Sequence, residues 1–335
     1  MDPRTMTLIL NDRCPLRCAH CALGYSENNI GSGRVMDETT VEELICGLDP
    51  DVYTMVVLAG GEPALVPKLV SKAVNACRKT GIDSALTTAP FWARTTDLGR
   101  MFLDRISQPN FVILSFDKYH LDFITVSHYE NAVAAAYERG IRVALNICYS
   151  TASEREASEL AIRGLVTRLT GVTWSRVMPQ GNASDAAEFV QEGVTINSLE
   201  DLDKVPRSCK AGNALVNLKN ELHACCWSGD VSGSPLIFSD NASFSGAVRS
   251  MDDNGLFQRI HTRGVLGNIP DKHRTELLSV LRGRSFVNEC HLCVTLMREK
   301  QKSFAALLGE PSSMGSQCSG STVNSTDYVS CSESA

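Results

Sequence analysis

The feature that most constrains the fold is a rhythm. After a first apolar run, Thr5 to Asn11, strand-like runs begin near Thr54, Asp83, Phe111, Arg142 and Val172, about every 30 residues, with one helical segment between each pair. Strand–helix–strand alternation at that spacing demands a parallel sheet with crossover helices on its faces. Six such units are too few for the closed eightfold barrel. An open doubly wound sheet and an incomplete barrel remain, and both gather ligands at the carboxyl ends of the strands. The residues that close the strands are therefore the ones to read for chemistry. The expected helices run from Thr39 to Leu48, with Thr39 and Glu42 at capping-box spacing, from Pro67 to just before Gly81, and over Thr96 to Ile106, His128 to Arg139 and Glu154 to Leu169.

The first strand runs straight into CPLRCAHC, residues 14 to 21, which sets Cys14, Cys18 and Cys21 at C-x3-C-x2-C spacing. Three thiols so close in sequence converge only if the loop wraps around something. Thiolates are soft ligands, so that something is an iron–sulfur cluster or zinc. A four-iron cluster takes four cysteines, and three would leave one iron open to a small molecule. His20 offers the alternative, a zinc site of three cysteines and one histidine. The loop by itself does not choose.

Strand two, within TMVVLAGGEP (54 to 63), ends at Gly60-Gly61-Glu62-Pro63. Two glycines there let another backbone or a ligand approach closely, and Glu62 presents a carboxylate suited to an ammonium group. A Gly-Gly-Glu alone is most often a plain turn. Placed after a three-cysteine loop, it resembles the radical S-adenosylmethionine (radical SAM) superfamily. The resemblance implies a [4Fe–4S] cluster on Cys14, Cys18 and Cys21, SAM on the fourth iron, and Gly60, Gly61 and Glu62 at the SAM amino group. It also favours an α/β fold of the partial (β/α)6 TIM-type barrel kind.

Other strand ends carry the resemblance further. Ser115-Phe116-Asp117 is similar to a Ser-x-Asp that closes strand four in the family, which implies Ser115 hydrogen-bonding SAM. Asn146 is a polar residue inside apolar strand five, serving either a ligand or a neighbouring backbone group. The segment from Met178 through Pro179, Gln180 and Gly181 looks like the family turn whose backbone lies near the adenine. Thr88-Ala89 stands where many relatives have Asn-Gly, which puts a SAM contact from strand three in doubt. Arg176 reads first as a salt-bridge partner and second as a substrate contact. No general base is identified.

Beyond Ala183 the rhythm stops and a second cysteine set appears: Cys209, Cys225, Cys226, and Cys290-His291-Leu292-Cys293. A hairpin is expected over 214 to 218 and 221 to 225, turning at Lys219-Asn220. A helix over 271 to 281 follows Leu266-Gly267-Asn268-Ile269, and a last helix spans 293 to 308. Four thiolates, Cys209, Cys226, Cys290 and Cys293, suit a second [4Fe–4S] cluster with no open iron, and suit a structural zinc equally. Cys225 and Cys226 compete for one place, because neighbours on a strand face opposite sides; Cys226 is the choice and Cys225 its substitute. The arrangement resembles the twitch subdomain, the short form of the SPASM extension of radical SAM enzymes. That implies a core over residues 1–185, a small α+β cluster-binding subdomain over 186–310, and a disordered Ser/Thr/Gly-rich tail over 311–335. Cys46, Cys77 and Cys148 read as small core residues.

Composition narrows the function. A net charge of −6 without a basic stripe gives nucleic acid no electrostatic footing. No apolar run is long enough for a membrane span. The amino terminus enters a strand without signal-peptide layout, and the metal-type clusters among the 13 cysteines point to the cytoplasm. The resemblance implies reductive cleavage of SAM to a 5′-deoxyadenosyl radical that abstracts hydrogen from substrate, fed by a flavodoxin- or ferredoxin-like one-electron donor. A peptide- or protein-modifying maturase is the expected class. Since no leader-binding domain precedes strand one, a separate leader-binding protein would serve it. The alternative is a small-molecule dehydrogenase that uses the auxiliary cluster as electron acceptor. A non-catalytic iron–sulfur or zinc protein is the third reading, against which Glu62 argues.

Overall fold

The structure, a computed structural model, describes residues 4–24, 33–184, 186–207, 209, 212–225, 234–238, 243–299 and 304–308. Its first half alternates as the rhythm demands: β1 (Arg4–Ile9), α1 (Glu38–Cys46), β2 (Tyr53–Ala59), α2 (Pro67–Thr80), β3 (Asp83–Thr88), α3 (Thr96–Arg105), β4 (Phe111–Ser115), α4 (Lys118–Leu121), α5 (Val126–Tyr137), β5 (Arg142–Tyr149), α6 (Ala152–Ala161) and β6 (Gly171–Arg176). Strands β1 to β6 pair in chain order and all in parallel. The result is a mixed α/β fold on a parallel sheet, left open because β6 stands at the sheet's edge.

Side chains alternate across a strand, and the two faces divide the labour. Met6 and Leu8, Val56 and Leu58, Val112 and Leu114, and Val143 and Leu145 are buried in the main core. The intervening Thr7 and Ile9, Val57 and Ala59, and Thr87 line a cavity on the other face. Helix boundaries follow local chemistry. Asp37 caps α1 by accepting from the Thr39 and Thr40 N–H groups at 2.8 and 3.2 Å, so Thr39 lies in the first turn instead of the expected cap. Pro67 opens α2, and Gly81 closes it in the left-handed region at φ 75°. The long helix expected over 154 to 169 ends at Ala161, and a short 3-10 turn covers Val166–Arg168.

The second half contains β7 (Val194–Thr195), α7 (Leu199–Lys204), β8 (Asn213–Val216), β9 (Leu222–His223), β10 (Ile237–Phe238), α8 (Phe244–Asp252), α9 (Gly255–Arg263), α10 (Asp271–Leu281), β11 (Ser285–Phe286), α11 (Glu289–Glu299) and α12 (Phe304–Leu307). The segment 184 to 207, expected to be a plain connection, thus carries β7 and α7. The expected hairpin is present as antiparallel β8 and β9, with Asn220 at φ 61° in its turn, a conformation that asparagine tolerates. Periodicity did not foretell where it docks. β8 pairs in parallel with β1, so one sheet runs β10-β9-β8-β1-β2-β3-β4-β5-β6. The Arg4 guanidinium, paired with Asp252, ties β1 to α8 at the same seam. The helix expected over 293 to 308 starts four residues earlier, as α11 from Glu289 to Glu299 with α12 following at Phe304–Leu307, which places both Cys290 and Cys293 on the first turns of α11. Cys226 and the 311–335 tail lie outside the described residues. Among the described residues no helix is long and apolar enough to cross a membrane.

Candidate active site

A cavity of about 1020 Å³ opens at the carboxyl ends of the strands. Cys14, Cys18 and Cys21 line it, with Gly60, Gly61 and Glu62 from the end of β2, Ser115 from β4, Asn146 from β5, and Met178 after β6. Every residue assigned from sequence to the first cluster or to SAM therefore faces one space. The hairpin supplies an unforeseen wall: Leu215, Asn217, Leu218, Lys219 and Glu221 also line the cavity. Cys148 packs against the main core as expected and also lines the cavity. Cys77 is fully buried as expected, whereas Cys46 is disulfide-bonded.

The cysteine loop is shaped from two sides by close backbone packing. A Cβ on Gly60 would lie 2.7 Å from the Asn11 carbonyl oxygen, and one on Gly61 would lie 2.1 Å from that of Arg13. The two glycines thus make room for the chain entering the loop, not for a ligand. The Gly61 and Glu62 N–H groups donate to those carbonyls at 2.8 and 2.6 Å. On the far side Gly181, at φ 61°, lies against the loop so closely that a Cβ would come within 2.4 Å of the Cys21 oxygen. Asn182 fastens the contact: its backbone N–H donates to Cys21 at 2.9 Å and its amide to the Cys18 carbonyl at 3.1 Å. The proline-and-glycine turn after β6 is therefore a clamp on the cysteine loop.

Glu62 is 2% exposed. Its Oε1 accepts from the Ala64 N–H at 2.9 Å and from the Thr88 hydroxyl at 2.6 Å, and its Oε2 accepts from the Ala89 N–H at 2.9 Å. Burial pushes the carboxyl up to about 7, against the pull of those donors. Thr88 and Ala89, which depart from the family's common pair, thus hold the glutamate. Ser115 offers its hydroxyl side to the cavity while its carbonyl accepts from Tyr129 at 2.8 Å. Arg176 pairs with Glu192 at 2.9 Å, the salt bridge expected, and also lines the cavity. Met178 is buried and packs with Val287 and Cys290, so it stands between the cavity and the second cysteine set.

The segment after β4 holds a cluster that the sequence reading passed over, although Asp-x-x-His at a strand end was there to be seen. Asp117, 1% exposed, accepts at Oδ1 from the backbone N–H of His120 at 3.0 Å and faces its ring Nδ1 at 2.8 Å. Its Oδ2 lies 3.3 Å from His20 Nε2. His20 stacks on Tyr119 with ring centroids 4.5 Å apart and meets His120 edge-on at 5.1 Å. Burial pulls the His120 imidazole down, but Asp117 outweighs that and raises it to about 10. Asp117 is held below the usual carboxylate range, its two histidine partners overcoming the cost of burial.

The second cysteine set is also brought together. Cys209, Cys225, Cys290 and Cys293 line one small cavity of about 20 Å³ with Ile260, Val265 and Glu289. Cys225, the substitute in the expected ligand set, faces the other three; its neighbour Cys226 lies outside the described residues. Helix α11 presents Cys290 and Cys293 three residues apart on one face. Glu289, 2% exposed, accepts from the Leu266 N–H at 2.9 Å and so ties the Leu266–Asn268 turn to that helix.

The model of the radical SAM superfamily matches residues 8–160. No curated protein matches the chain. Among solved structures, the protein anSMEcpe with bound AdoMet aligns over 91% of this chain and 94% of its own, at 12% identity and a TM-score of 0.54. Methylornithine synthase aligns over 55% of this chain at 17% identity and a TM-score of 0.42, and HydG, a maturase of the [FeFe]-hydrogenase, over 59% at 16% identity and 0.41. The chain spans 57% of the length of methylornithine synthase and 47% of that of HydG. The three-cysteine loop clamped at the mouth of a parallel sheet and the buried Gly-Gly-Glu turn beside it both lie within residues 8–160, the stretch that is similar to the radical SAM superfamily.

Proposed function

We propose that this chain is a peptide- or protein-modifying radical SAM enzyme that carries two [4Fe–4S] clusters. A radical SAM domain implies reductive cleavage of SAM at an iron–sulfur cluster. The observation that carries the reading is the single cavity where the three loop thiols, Glu62 and the ends of β2, β4, β5 and β6 meet. Its donor set fits the group: three soft thiolates on a rigidly clamped loop, with a buried carboxylate at the same edge. Cys14, Cys18 and Cys21 would hold the cluster, and Glu62, Ser115, Asn146 and Met178 stand where SAM would be bound. When bound, the cluster supplies the electron that splits SAM into methionine and a 5′-deoxyadenosyl radical. The chain's own part is orientation and dryness: β6 and Met178 close one side, and the β8–β9 hairpin closes another.

The cavity volume lies at the upper end of ordinary ligand pockets, which supports a substrate larger than SAM alone requires. Polar groups on the hairpin wall, Asn217, Lys219 and Glu221, are suited to hold a peptide backbone and its side chains. For the second set, Cys209, Cys225, Cys290 and Cys293 around one small cavity offer four thiolates, which suit a four-iron cluster with no open iron, with a structural zinc as the alternative that metal analysis separates.

Anaerobic reconstitution tests the whole reading. About eight irons per chain and release of 5′-deoxyadenosine under dithionite are expected. Stoichiometric zinc without iron or sulfide would end it. Incubation with candidate peptides from neighbouring genes should consume peptide and couple it to 5′-deoxyadenosine; turnover of a small alcohol or thiol instead would reassign the enzyme as a dehydrogenase.

A further inference from the structure

We infer that Trp92 is a positioning residue for Glu62, acting through the Thr88 hydroxyl, and that this chain of hydrogen bonds leaves one place on the carboxylate, at Oε2, for the amino group of SAM. The inference rests on the reading of Glu62 as the partner of that amino group. Trp92 lies in the turn after β3, where the Phe91 N–H donates to the Ala89 carbonyl at 2.8 Å and the Ala93 N–H to that of Pro90 at 3.0 Å. Its ring stacks on Phe102 of α3 with centroids 4.4 Å apart, so the indole is held from behind. Its Nε1–H donates to the Thr88 hydroxyl at 3.1 Å. That hydroxyl lies 2.6 Å from Glu62 Oε1 and 3.2 Å from the Ala89 carbonyl oxygen. An indole only donates, an ionised carboxylate only accepts, and a hydroxyl has a single hydrogen to give. Both ends therefore fix the direction of the chain, from Trp92 through Thr88 to Glu62. Length decides where the hydroxyl hydrogen goes: the shorter contact falls in the range of a hydroxyl on a carboxylate, and the longer exceeds ordinary hydroxyl bonds. Each bond in such a chain polarises and strengthens the next. A carboxylate offers about four lone-pair places, two on each oxygen. Ala64 and Thr88 fill Oε1, and Ala89 takes one place on Oε2. The place left over belongs to a residue that lines the cavity.

The test is anaerobic ligand binding to the reconstituted holoprotein, with SAM and with 5′-methylthioadenosine, which keeps the adenosine and sulfur of SAM but lacks its amino group. Trp92→Phe preserves an aromatic ring against Phe102 and removes the N–H. It should retain its iron and bind SAM about two- to tenfold more weakly, while its affinity for 5′-methylthioadenosine stays that of wild type. The loss should appear in the KM for SAM more than in kcat, as befits a lost binding contact. In a Thr88→Val background, where the chain is already cut, Trp92→Phe should cost nothing further. Thr88→Ser, which keeps a hydroxyl, should recover most of the SAM affinity that Thr88→Val loses. Unchanged SAM affinity in Trp92→Phe would overturn the inference. So would an equal loss for both ligands, the sign of a merely structural role, or full additivity with Thr88→Val. Wild-type protein that binds 5′-methylthioadenosine as tightly as SAM would instead sink the reading of Glu62 beneath it, and the inference with it.

Discussion

A buried carboxylate with three hydrogen-bond donors is held in place more firmly than it is held ionised. Glu62 accepts from Ala64, Thr88 and Ala89, yet burial keeps its carboxyl near 7 against a usual 4.5. Folded protein therefore binds this proton more tightly than unfolded chain. The stability that comes from Glu62 is complete below about pH 4.5 and is lost as pH rises through about 7, a fall of roughly 3 kcal/mol for the protein without SAM. Denaturant titrations of wild type and Glu62→Gln between those pH values should show the slope in the first and its absence in the second. A cation at the cavity edge would favour the ionised form, so Glu62→Gln should also weaken SAM binding while leaving the iron content unchanged; an equal affinity would assign the residue to structure alone. Thr88→Val, which removes the closest donor, should cost about 1–3 kcal/mol. At this scale the sequence was legible where a residue's type names its chemistry, as in Cys14, Cys18, Cys21 and Glu62. It was silent on Thr88 and Ala89, whose value lies in what they hold, and on Asp117 and His120, whose partner on the cysteine loop comes from far away in the chain.

Elements were legible through their periodicity and less so through their ends. β3 and α10 fall where the pattern placed them, at Asp83–Thr88 and Asp271–Leu281. α11 did not, since Glu289 and Cys290 look polar and reactive yet are buried against the Leu266–Asn268 turn and the second cysteine set. Turns that clamp other turns left the weakest trace. Gly181→Ala would put a Cβ into the Cys21 carbonyl and force an alanine to φ 61°. It should cost at least about 1–2 kcal/mol and slow or prevent iron uptake, measurable by melting temperature and iron analysis, with Gly140→Ala, also at positive φ but facing open space, as the control for backbone strain alone. The hairpin offers a second comparison. Cys225 faces Cys209, Cys290 and Cys293, so Cys225→Ala should lose about half the iron and Cys226→Ala should keep it. Cys209→Ala should also hold about half the iron and still release 5′-deoxyadenosine, because four thiolates leave no open iron for SAM at that site.

For the whole molecule, the alternation of strands and helices over residues 4–176 was enough to predict a parallel sheet with its chemistry at one end. What it could not predict was that the sheet continues past residue 186. β8 has only four residues, Asn213–Val216, and reads as one arm of a small hairpin. Its pairing with β1 is decided by a bare edge seeking hydrogen bonds, not by any local pattern. That pairing has a temporal consequence. Thr5 meets Asn213 across the sheet, about two hundred residues later in synthesis. At roughly 5–20 residues per second the ribosome needs on the order of 10–40 s to make that stretch. Through that interval β1 can already lie against β2, but its other edge, with Met6 and Leu8 beside it, stays open to any passing strand. Ribosome-arrested chains that end before Asn213 should accordingly be cleaved within β1 by added protease, and chains in which β8 has cleared the exit should resist. The first strand to be born is among the last to be finished, and the cysteine loop that hangs from it waits with it.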